Sequence, residues 1–209
     1  MLCCLLIISA CFFALPAAAT YEEQAGILNE LGLFRGTDNG YQLEKNFTRA
    51  EGATMLVRLL GKEEEALALT EYEHPFEDVR GHWAEAYVAY CYINRITKGT
   101  SKVEFSPEAQ MPADEYITLV LRSLGYKNVQ PDNAGIAAAE YSLADSNIVK
   151  NLLENNFTRD NMVFISYRAL MVHSLSGETL AQRLIENGTI TQRMAKHFNL
   201  LPKNQYWEA

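Results

Sequence analysis

A short pattern that occurs three times along the chain constrains its fold more than any other feature of the sequence. In each occurrence an acidic or amide residue precedes an arginine by seven positions. The three pairs are Glu51 with Arg58, Glu115 with Arg122, and Asn161 with Arg168. Internal self-similarity of this kind is typical of stacked supersecondary units that share one core. The repetition therefore favours a binding scaffold over a catalyst.

Apolar residues around the repeated pattern follow the spacing of amphipathic helices. In the second copy they recur at i, i+3, i+4 and i+7, first as Ala84, Tyr87, Val88 and Cys91 and then as Ile117, Val120, Leu121 and Leu124. This spacing places them on one face of a helix. Because corresponding faces occur in the other copies, the sequence predicts an all-α fold with one shared interior.

Cap signals give the expected ends of these helices. Thr48 and Glu51 have the Thr-x-x-Glu spacing of a capping box, and Thr158 keeps the hydroxyl while Asn161 replaces the carboxylate. In the second copy, His82 to Ala84 is predicted to open the first helix. Gly99 is predicted to end that helix as a left-handed C-terminal residue.

The copies divide the chain into predicted segments. These are a signal peptide at 1–19, a first repeat with a truncated opening at 20–62, a second repeat at 74–126, a degenerate third repeat at 132–177, and a C-terminal helical extension at 178–209. The first helix of the third repeat is expected around Ile136 to Ala144. The extension is interpreted as an extra helix that supplies a packing partner missing from the first repeat.

Residues 1–19 have the features of an export signal. The run from Leu2 to Leu15 is almost entirely apolar, and Ala17 to Ala19 supplies small residues for cleavage. No Lys or Arg precedes the run, and Ile8 to Cys11 also resembles a lipobox, so lipidation of Cys11 is the alternative. The apolar run is too short to span a bilayer, and no later segment approaches the roughly 18 apolar residues that a span needs. The sequence predicts export and no transmembrane segment.

The cysteine count bears on whether the mature chain forms a disulfide, and the net charge limits which partners it can attract. Three of the four cysteines lie inside the signal, so the mature chain keeps only Cys91, which is expected to be a buried apolar residue without a disulfide. The formal net charge of −8 repels nucleic acid and anionic bilayers at long range. Binding to an anionic polymer would therefore require locally placed arginines.

The chain lacks the common sequence signals of catalysis and metal binding. It has no nucleophile elbow, no His-Glu-x-x-His helix and no glycine-rich phosphate loop. His74, Asp78 and His82 are spaced four apart, but Pro75 interrupts the helix that would align them. We therefore expect no enzyme activity, no cofactor and no metal site.

Four fragments together resemble the S-layer homology domain. They are Phe76-x-Asp78-Val79-x-x-His82-Trp83-Ala84, Gly99, Phe105-x-Pro107, and Thr48-Arg49-Ala50-Glu51. The resemblance covers roughly Tyr21 to Thr191. It implies three helical repeats in a pseudo-threefold bundle, here followed by an extra C-terminal helix. It also implies noncovalent attachment to the bacterial cell wall through secondary cell-wall polysaccharide, which is often pyruvylated.

The resemblance also implies where the glycan would bind, in grooves between neighbouring repeats. By position it selects Arg49, Asp78, Trp83 and Gly99, with Arg159 as the counterpart of Arg49 in the third copy. Ala113 occupies the arginine position of the second copy. A planar guanidinium suits a saccharide carboxylate because it offers two parallel N–H donors, and a tryptophan face suits the C–H surface of a sugar.

Structural interpretations of the same residues stay open at this stage. Arg49 could hold a neighbouring carboxylate, and His82 with Trp83 could only anchor a loop. The arginines at positions 58, 122 and 168 lie within apolar faces and are interpreted as structural. The leading hypothesis is a secreted cell-surface module that binds wall polysaccharide. The alternative is a degenerate scaffold that contacts another envelope protein without binding glycan.

Overall fold

The structure, a computed structural model, describes residues 20–201. Its helices are α1 (Glu22–Glu30), α2 (Arg49–Leu59), α3 (Glu63–Leu67), α4 (Glu85–Ile93), α5 (Ala113–Ser123), α6 (Ala134–Glu140), α7 (Ser146–Glu154), α8 (Arg159–Ala169), α9 (Leu180–Glu186) and α10 (Gln192–His197). No strand occurs within this range, only isolated β-bridges. The all-α prediction is therefore confirmed. The predicted export signal, including Cys11, and the last residues of the predicted extension lie outside the described residues.

The three longest helices, α2, α5 and α8, begin at the positions that the repeated pattern predicts. Thr48 Oγ1 accepts a hydrogen bond from Glu51 N at 3.2 Å, and Glu51 Oε2 accepts one from Thr48 N at 2.7 Å. This capping box satisfies two amides that the first turn leaves without intrahelical partners. At the start of α8, Asn161 Oδ1 accepts a hydrogen bond from Thr158 N at 3.0 Å. The amide thus takes the place of the carboxylate.

The first helix of each copy packs against the second helix of another copy. Helix α4 packs on α2, α6 packs on α5, and α1 packs on α8. At the last of these contacts the rings of Tyr21 and Phe164 lie 4.7 Å apart, and Tyr21 N donates to Asp160 Oδ1 at 2.6 Å. The suggestion that the first copy lacks a packing partner is therefore wrong, because both of its helices pack against other copies.

The segments that precede the three longest helices meet at one point. Gln110 Nε2 donates to Asn156 Oδ1 at 2.7 Å, and Asn156 Nδ2 donates to Asn46 Oδ1 at 2.6 Å. Beneath these amides, Phe47 and Phe157 pack with centroids 5.6 Å apart. All three copies thus contribute to one junction and one core. The exact pseudo-threefold relation stays a prediction.

The predicted helix end at Gly99 is wrong. Helix α4 ends at Ile93, and Arg95, with φ 58°, is the first left-handed residue after it. Gly99 lies further along the loop with φ 76°, and a Cβ there would lie 2.3 Å from the Phe76 ring and 2.5 Å from Glu104 O. Glycine is needed because the backbone approaches two neighbours closely, not because a helix stops.

Two short helices, α3 and α7, were not predicted from the sequence. Helix α3 lies in the charge-rich linker after the first copy and packs on α4. In the third copy the helix expected around Ile136 to Ala144 ends at Glu140, because Ser142 adopts a left-handed φ of 59°. The chain then forms α7, which packs on α6 through buried residues that include Val149.

The described part of the C-terminal extension packs onto the end of the bundle. Leu180, Ala181 and Leu184 of α9 are fully buried. Ala181 N donates to Leu170 O at 2.9 Å, just after α8. Thr189 lies so close to Gly61 that a Cβ there would be 2.2 Å from its hydroxyl. No helix in the described part of the chain has both the length and the apolar character needed to cross a membrane.

Candidate functional site

Arg49 forms the seam between α2 and the second copy. Its backbone N donates to Ala109 O at 2.9 Å, and its Nε donates to Phe105 O at 2.7 Å. The guanidinium lies 4.9 Å from the centroid of the Phe105 ring and forms an ion pair with Glu115 of α5. The side chain is only 4% exposed. Arg49 is therefore held on three sides by the second copy.

A cavity of about 280 Å³ opens at this seam, and we call it the Arg49 cavity. Its walls come from the loop 97–100, one face of α5 and the turn before α6. The lining residues are Arg49, Thr97, Lys98, Gly99, Thr100, Glu115, Thr118, Leu119, Arg122, Gln130 and Pro131.

Arg159 occupies the corresponding position between α8 and the first copy. Its backbone N donates to Lys45 O at 2.8 Å, and its Nε donates to Tyr41 O at 3.0 Å. The guanidinium lies 5.4 Å from the centroid of the Phe34 ring, and Nη1 lies 3.6 Å from Glu51 Oε1. The contacts of Arg49 are thus repeated at a second seam.

The second seam also opens into a cavity, of about 300 Å³, which we call the Arg159 cavity. It is lined by Phe34, Arg35, Gly36, Thr37, Glu51, Thr54, Met55, Arg58, Trp83, Arg159 and Met162. These residues correspond in sequence order to the walls of the Arg49 cavity, with Trp83 of the second copy added at the rim.

Both cavities carry an excess of positive charge in a chain whose net charge is −8. Each is lined by three cationic side chains and one carboxylate. The sets are Arg49, Lys98 and Arg122 with Glu115, and Arg35, Arg58 and Arg159 with Glu51. In each set the carboxylate sits on the third residue of the helix that forms one wall. Glu63, outside the lining, also pairs with Arg35 and Arg58, so the excess of positive charge is smaller at the Arg159 cavity.

The arginines late in the long helices also hold the fold together. Arg122 donates to Val129 O at 2.9 Å, to Ile96 O at 3.1 Å and to Gln130 Oε1 at 2.8 Å. Burial lowers the pKa of Arg122, but an arginine pKa begins so high that the side chain stays charged at neutral pH. Arg168 donates to Leu143 O at 3.2 Å. Their structural interpretation is confirmed.

The structure divides the predicted site residues between the two cavities. Arg49 and Gly99 line one cavity, whereas Trp83 and Arg159 line the other. Arg49 and Trp83 thus line different cavities, and their contact with glycan stays a prediction. Trp83 remains 58% exposed, so one large aromatic surface is open beside the Arg159 cavity.

Asp78 lines neither cavity. Its carboxylate accepts hydrogen bonds from Phe105 N at 2.9 Å and from Ser106 N at 2.7 Å. Because Phe105 O is the acceptor for Arg49 Nε, Asp78 holds the loop that positions Arg49. The structure thus gives Asp78 a supporting contact with the seam rather than a place in its cavity.

The neighbouring histidines have similar structural contacts. Ala84 N donates to His82 Nδ1 at 3.1 Å, which leaves the proton on Nε2, 2.7 Å from Glu108 Oε1. His74 contacts Glu85 in the same manner. Between residues 20 and 201, no group of three or more His, Cys, Asp or Glu residues is arranged to hold a metal ion. Burial raises the pKa of Cys91 to about 12, so its thiol is not ionised at neutral pH.

Sequence reasoning missed the side chains that complete the cavities, among them Arg35, Lys98 and Glu115. Their roles depend on contacts between copies, which a pattern within one copy does not reveal. The signal that was available is the combination of an arginine at the helix start with a glutamate two residues later. In the first and third copies that arginine reaches the glutamate position of a neighbouring copy.

Comparison with known proteins adds an independent line of evidence. A family model described as the S-layer homology domain matches residues 75–111. The chain is 30% identical over 184 residues to the middle cell wall protein of Brevibacillus brevis, which covers 80% of this chain and 17% of that protein. It is 33% identical over 132 residues to the surface layer protein of Brevibacillus choshinensis, covering 60% and 12% respectively.

A third similar protein is named for anchoring rather than for the cell wall or the surface layer. The chain is 32% identical over 98 residues to the cellulosome-anchoring protein of Acetivibrio thermocellus, covering 46% of this chain and 22% of that protein. The chain thus spans less than a quarter of the length of each of these relatives.

Proposed function

Because the chain is an S-layer homology domain protein, we propose that it attaches noncovalently to the bacterial cell surface by binding acidic cell-wall polysaccharide in the Arg49 and Arg159 cavities. The relatives are named as cell wall, surface layer and anchoring proteins, which supports a role as a cell-surface anchoring module.

The observation that carries the proposal is the matched set of cations at two seams. Each cavity combines three cationic side chains with a single carboxylate. Within residues 20–201, Nη2 of Arg49 and Nη2 of Arg159 make no hydrogen bond, and no buried side-chain nitrogen lacks a partner. Both guanidinium groups line their cavities, although their side chains are only 4% and 11% exposed. A guanidinium donor beside Lys98 or Arg35 suits a carboxylate substituent such as a pyruvyl ketal.

The two cavities would act together on one polymer. A single exposed ionic contact adds little free energy, since double-mutant cycles give roughly 0.2–1 kcal/mol for such pairs. Two cavities on one rigid body raise the effective concentration of the second contact once the first has formed. Trp83, at the rim of the Arg159 cavity, adds an apolar face on which a sugar ring can pack.

Co-sedimentation with purified wall sacculi tests this function. Lys98→Ala and Arg35→Ala each remove one exposed cation from one cavity, and we expect each to weaken binding by up to about fivefold. Raising the salt concentration is expected to weaken binding of the wild type. Lys150→Ala, on α7 and 71% exposed, removes one positive charge outside both cavities and serves as the matched control.

The outcomes separate the proposal from its rivals. If the variant that combines Lys98→Ala with Arg35→Ala pellets like the wild type, the assigned cavities are wrong. If the wild type does not pellet, the function itself is wrong. If it pellets equally with sacculi stripped of polysaccharide, a protein partner of the envelope replaces the glycan.

A further inference from the structure

The third seam, between α5 and the third copy, differs from the other two in both members of its ion pair. Ala113 stands where the other seams have Arg49 and Arg159, and Asn161 stands where they have a glutamate. The guanidinium and its carboxylate are thus both absent at this seam. Removing only one would have left an unpaired charge at a largely buried position, which is costly.

The third seam also lacks the backbone hydrogen bonds that join the helix start to the neighbouring loop at the other two seams. At the first two seams, the first two backbone amides of the helix donate to the neighbouring loop, as Arg49 N does to Ala109 O and Ala50 N to Pro107 O, both at 2.9 Å. In the described chain, neither Ala113 N nor Asp114 N makes such a bond to the loop before α8. A cavity of about 540 Å³ lies there instead, and we call it the Ala113 cavity.

The lining of the Ala113 cavity combines amide side chains with aliphatic ones and has no cation. Its residues are Gln110, Pro112, Ala113, Asp114, Pro131, Leu152, Leu153, Asn155, Asn156 and Phe157. Gln110 Oε1 and Asn155 Oδ1 accept no hydrogen bond from other residues between 20 and 201, so both are available to hydroxyl donors. Asp114, the one charged residue of the lining, would repel an acidic group. Amide and aliphatic side chains together can contact the hydroxyl groups and the C–H faces of a neutral ligand.

The Ala113 cavity lies next to the Arg49 cavity. Pro131 lines both, and the two cavities flank α5, one along its side and the other at its start. A chain of linked sugars that leaves the Arg49 cavity past Pro131 would therefore enter the Ala113 cavity without crossing the body of the protein.

We propose that the Ala113 cavity binds an uncharged saccharide unit of the same polymer whose acidic unit occupies the Arg49 cavity. This inference rests on the proposed function for the identity of the polymer. It assigns different chemistry to adjacent seams, with ionic recognition beside Arg49 and recognition of hydroxyl groups and C–H faces beside Leu153. Loss of the ion pair then changes the ligand unit that the seam takes rather than abolishing binding.

Methyl NMR with two forms of the polymer tests the inference. The probes are purified wall polysaccharide and the same polysaccharide after mild acid has removed its acidic substituents. The Leu153 methyl groups report on the Ala113 cavity and those of Leu119 on the Arg49 cavity. We expect the intact polymer to shift both signals and the de-acidified polymer to shift Leu153 alone. No shift of Leu153 with either polymer would overturn the inference.

A variant separates this inference from the proposed function. L153A/N155A removes two exposed side chains from the Ala113 cavity and leaves Arg49 intact. We expect calorimetry to show about fivefold weaker binding of the intact polymer, with unchanged binding of an acidic monosaccharide, and circular dichroism to show an intact fold. Unchanged polymer affinity would refute the inference alone. A wild type that shifts only Leu153 would refute ionic recognition at Arg49 instead.

Discussion

Gly99 lies where the sequence predicted, but glycine is required there for a different reason than the sequence suggested. The resemblance implied that its backbone lines a groove, and it does line the Arg49 cavity. The sequence suggested a helix end, but the structure shows a loop whose Cβ position is blocked by Phe76 and by Glu104 O. The sequence could not reveal this, because the blocking atoms come from the loop's own return and from a segment before α4.

Substitution of Gly99 by alanine is expected to destabilise the protein by about 2–5 kcal/mol, since a left-handed backbone costs alanine roughly 1–2 kcal/mol and a steric clash adds about 1–3 kcal/mol. Gly81 is the matched control, with φ 73° and no atom within 4 Å of its Cβ position. Gly81→Ala should therefore cost only the backbone term. Urea unfolding measures both free energies of unfolding, and equal losses would contradict the steric explanation.

At the scale of elements, the short helix α3 shows what a local pattern misses. Its sequence is a run of charges that looks like a linker, yet Glu63 connects three parts of the fold. Glu63 Oε1 accepts hydrogen bonds from Arg58 Nε and from Tyr87 OH, both at 2.8 Å, and Oε2 accepts one from Arg35 Nη2 at 2.6 Å. The long helices were predictable because their caps and apolar faces are local. Helices α3 and α7 instead depend on tertiary contacts, α3 with α4 and α7 with α6.

The pKa of Glu63 predicts an acid dependence of stability. Burial raises this pKa, but hydrogen bonds from Arg58 and Tyr87 and the charges of Arg58 and Arg35 outweigh burial, so it lies below the ordinary value of 4.5. Because the folded-state pKa is the lower one, the stabilisation is complete above the unfolded-state pKa. It is lost as the pH falls through the folded-state pKa.

Glu63→Gln should therefore weaken the dependence of stability on pH in the acid range. We expect the melting temperature of the wild type to fall more steeply below about pH 4.5 than that of the variant. The exposed neighbour Glu64 provides the control, and Glu64→Gln should keep the wild-type slope. A Glu63→Gln profile parallel to that of the wild type would contradict the argument.

On the scale of the whole molecule, the C-terminal helices are part of the core and not an appendage. Leu180, Leu184 and Ile190 are almost completely buried, as is Leu200 near the end of the described range. The sequence identified the helical extension and its contact with the first copy, where Thr189 lies against Gly61. It did not reveal the contact with the third copy, where Ala181 N donates to Leu170 O.

Truncation after Gly177 is expected to lower the melting temperature by at least about 10 °C. Each large buried apolar side chain contributes about 1.5–3 kcal/mol, and a loss of 1 kcal/mol lowers the melting temperature of a chain of this size by about 2–4 °C. A chain that ends at Leu201 keeps α9 and α10 and is the control with which the chain that ends at Gly177 is compared. If the chain that ends at Gly177 had an unchanged melting temperature, α9 and α10 would be dispensable for stability.

The two ion pairs give the copies a spatial order that differs from their order in the sequence. The first copy uses Arg49 toward the second copy and Glu51 toward the third, so it alone is ionically linked on both sides. The second and third copies, which are consecutive in the chain, face each other without such a pair. A circular permutant that starts with the third copy would have the order third, first, second. Each pair of copies that is consecutive in its chain would then also be linked by an ion pair.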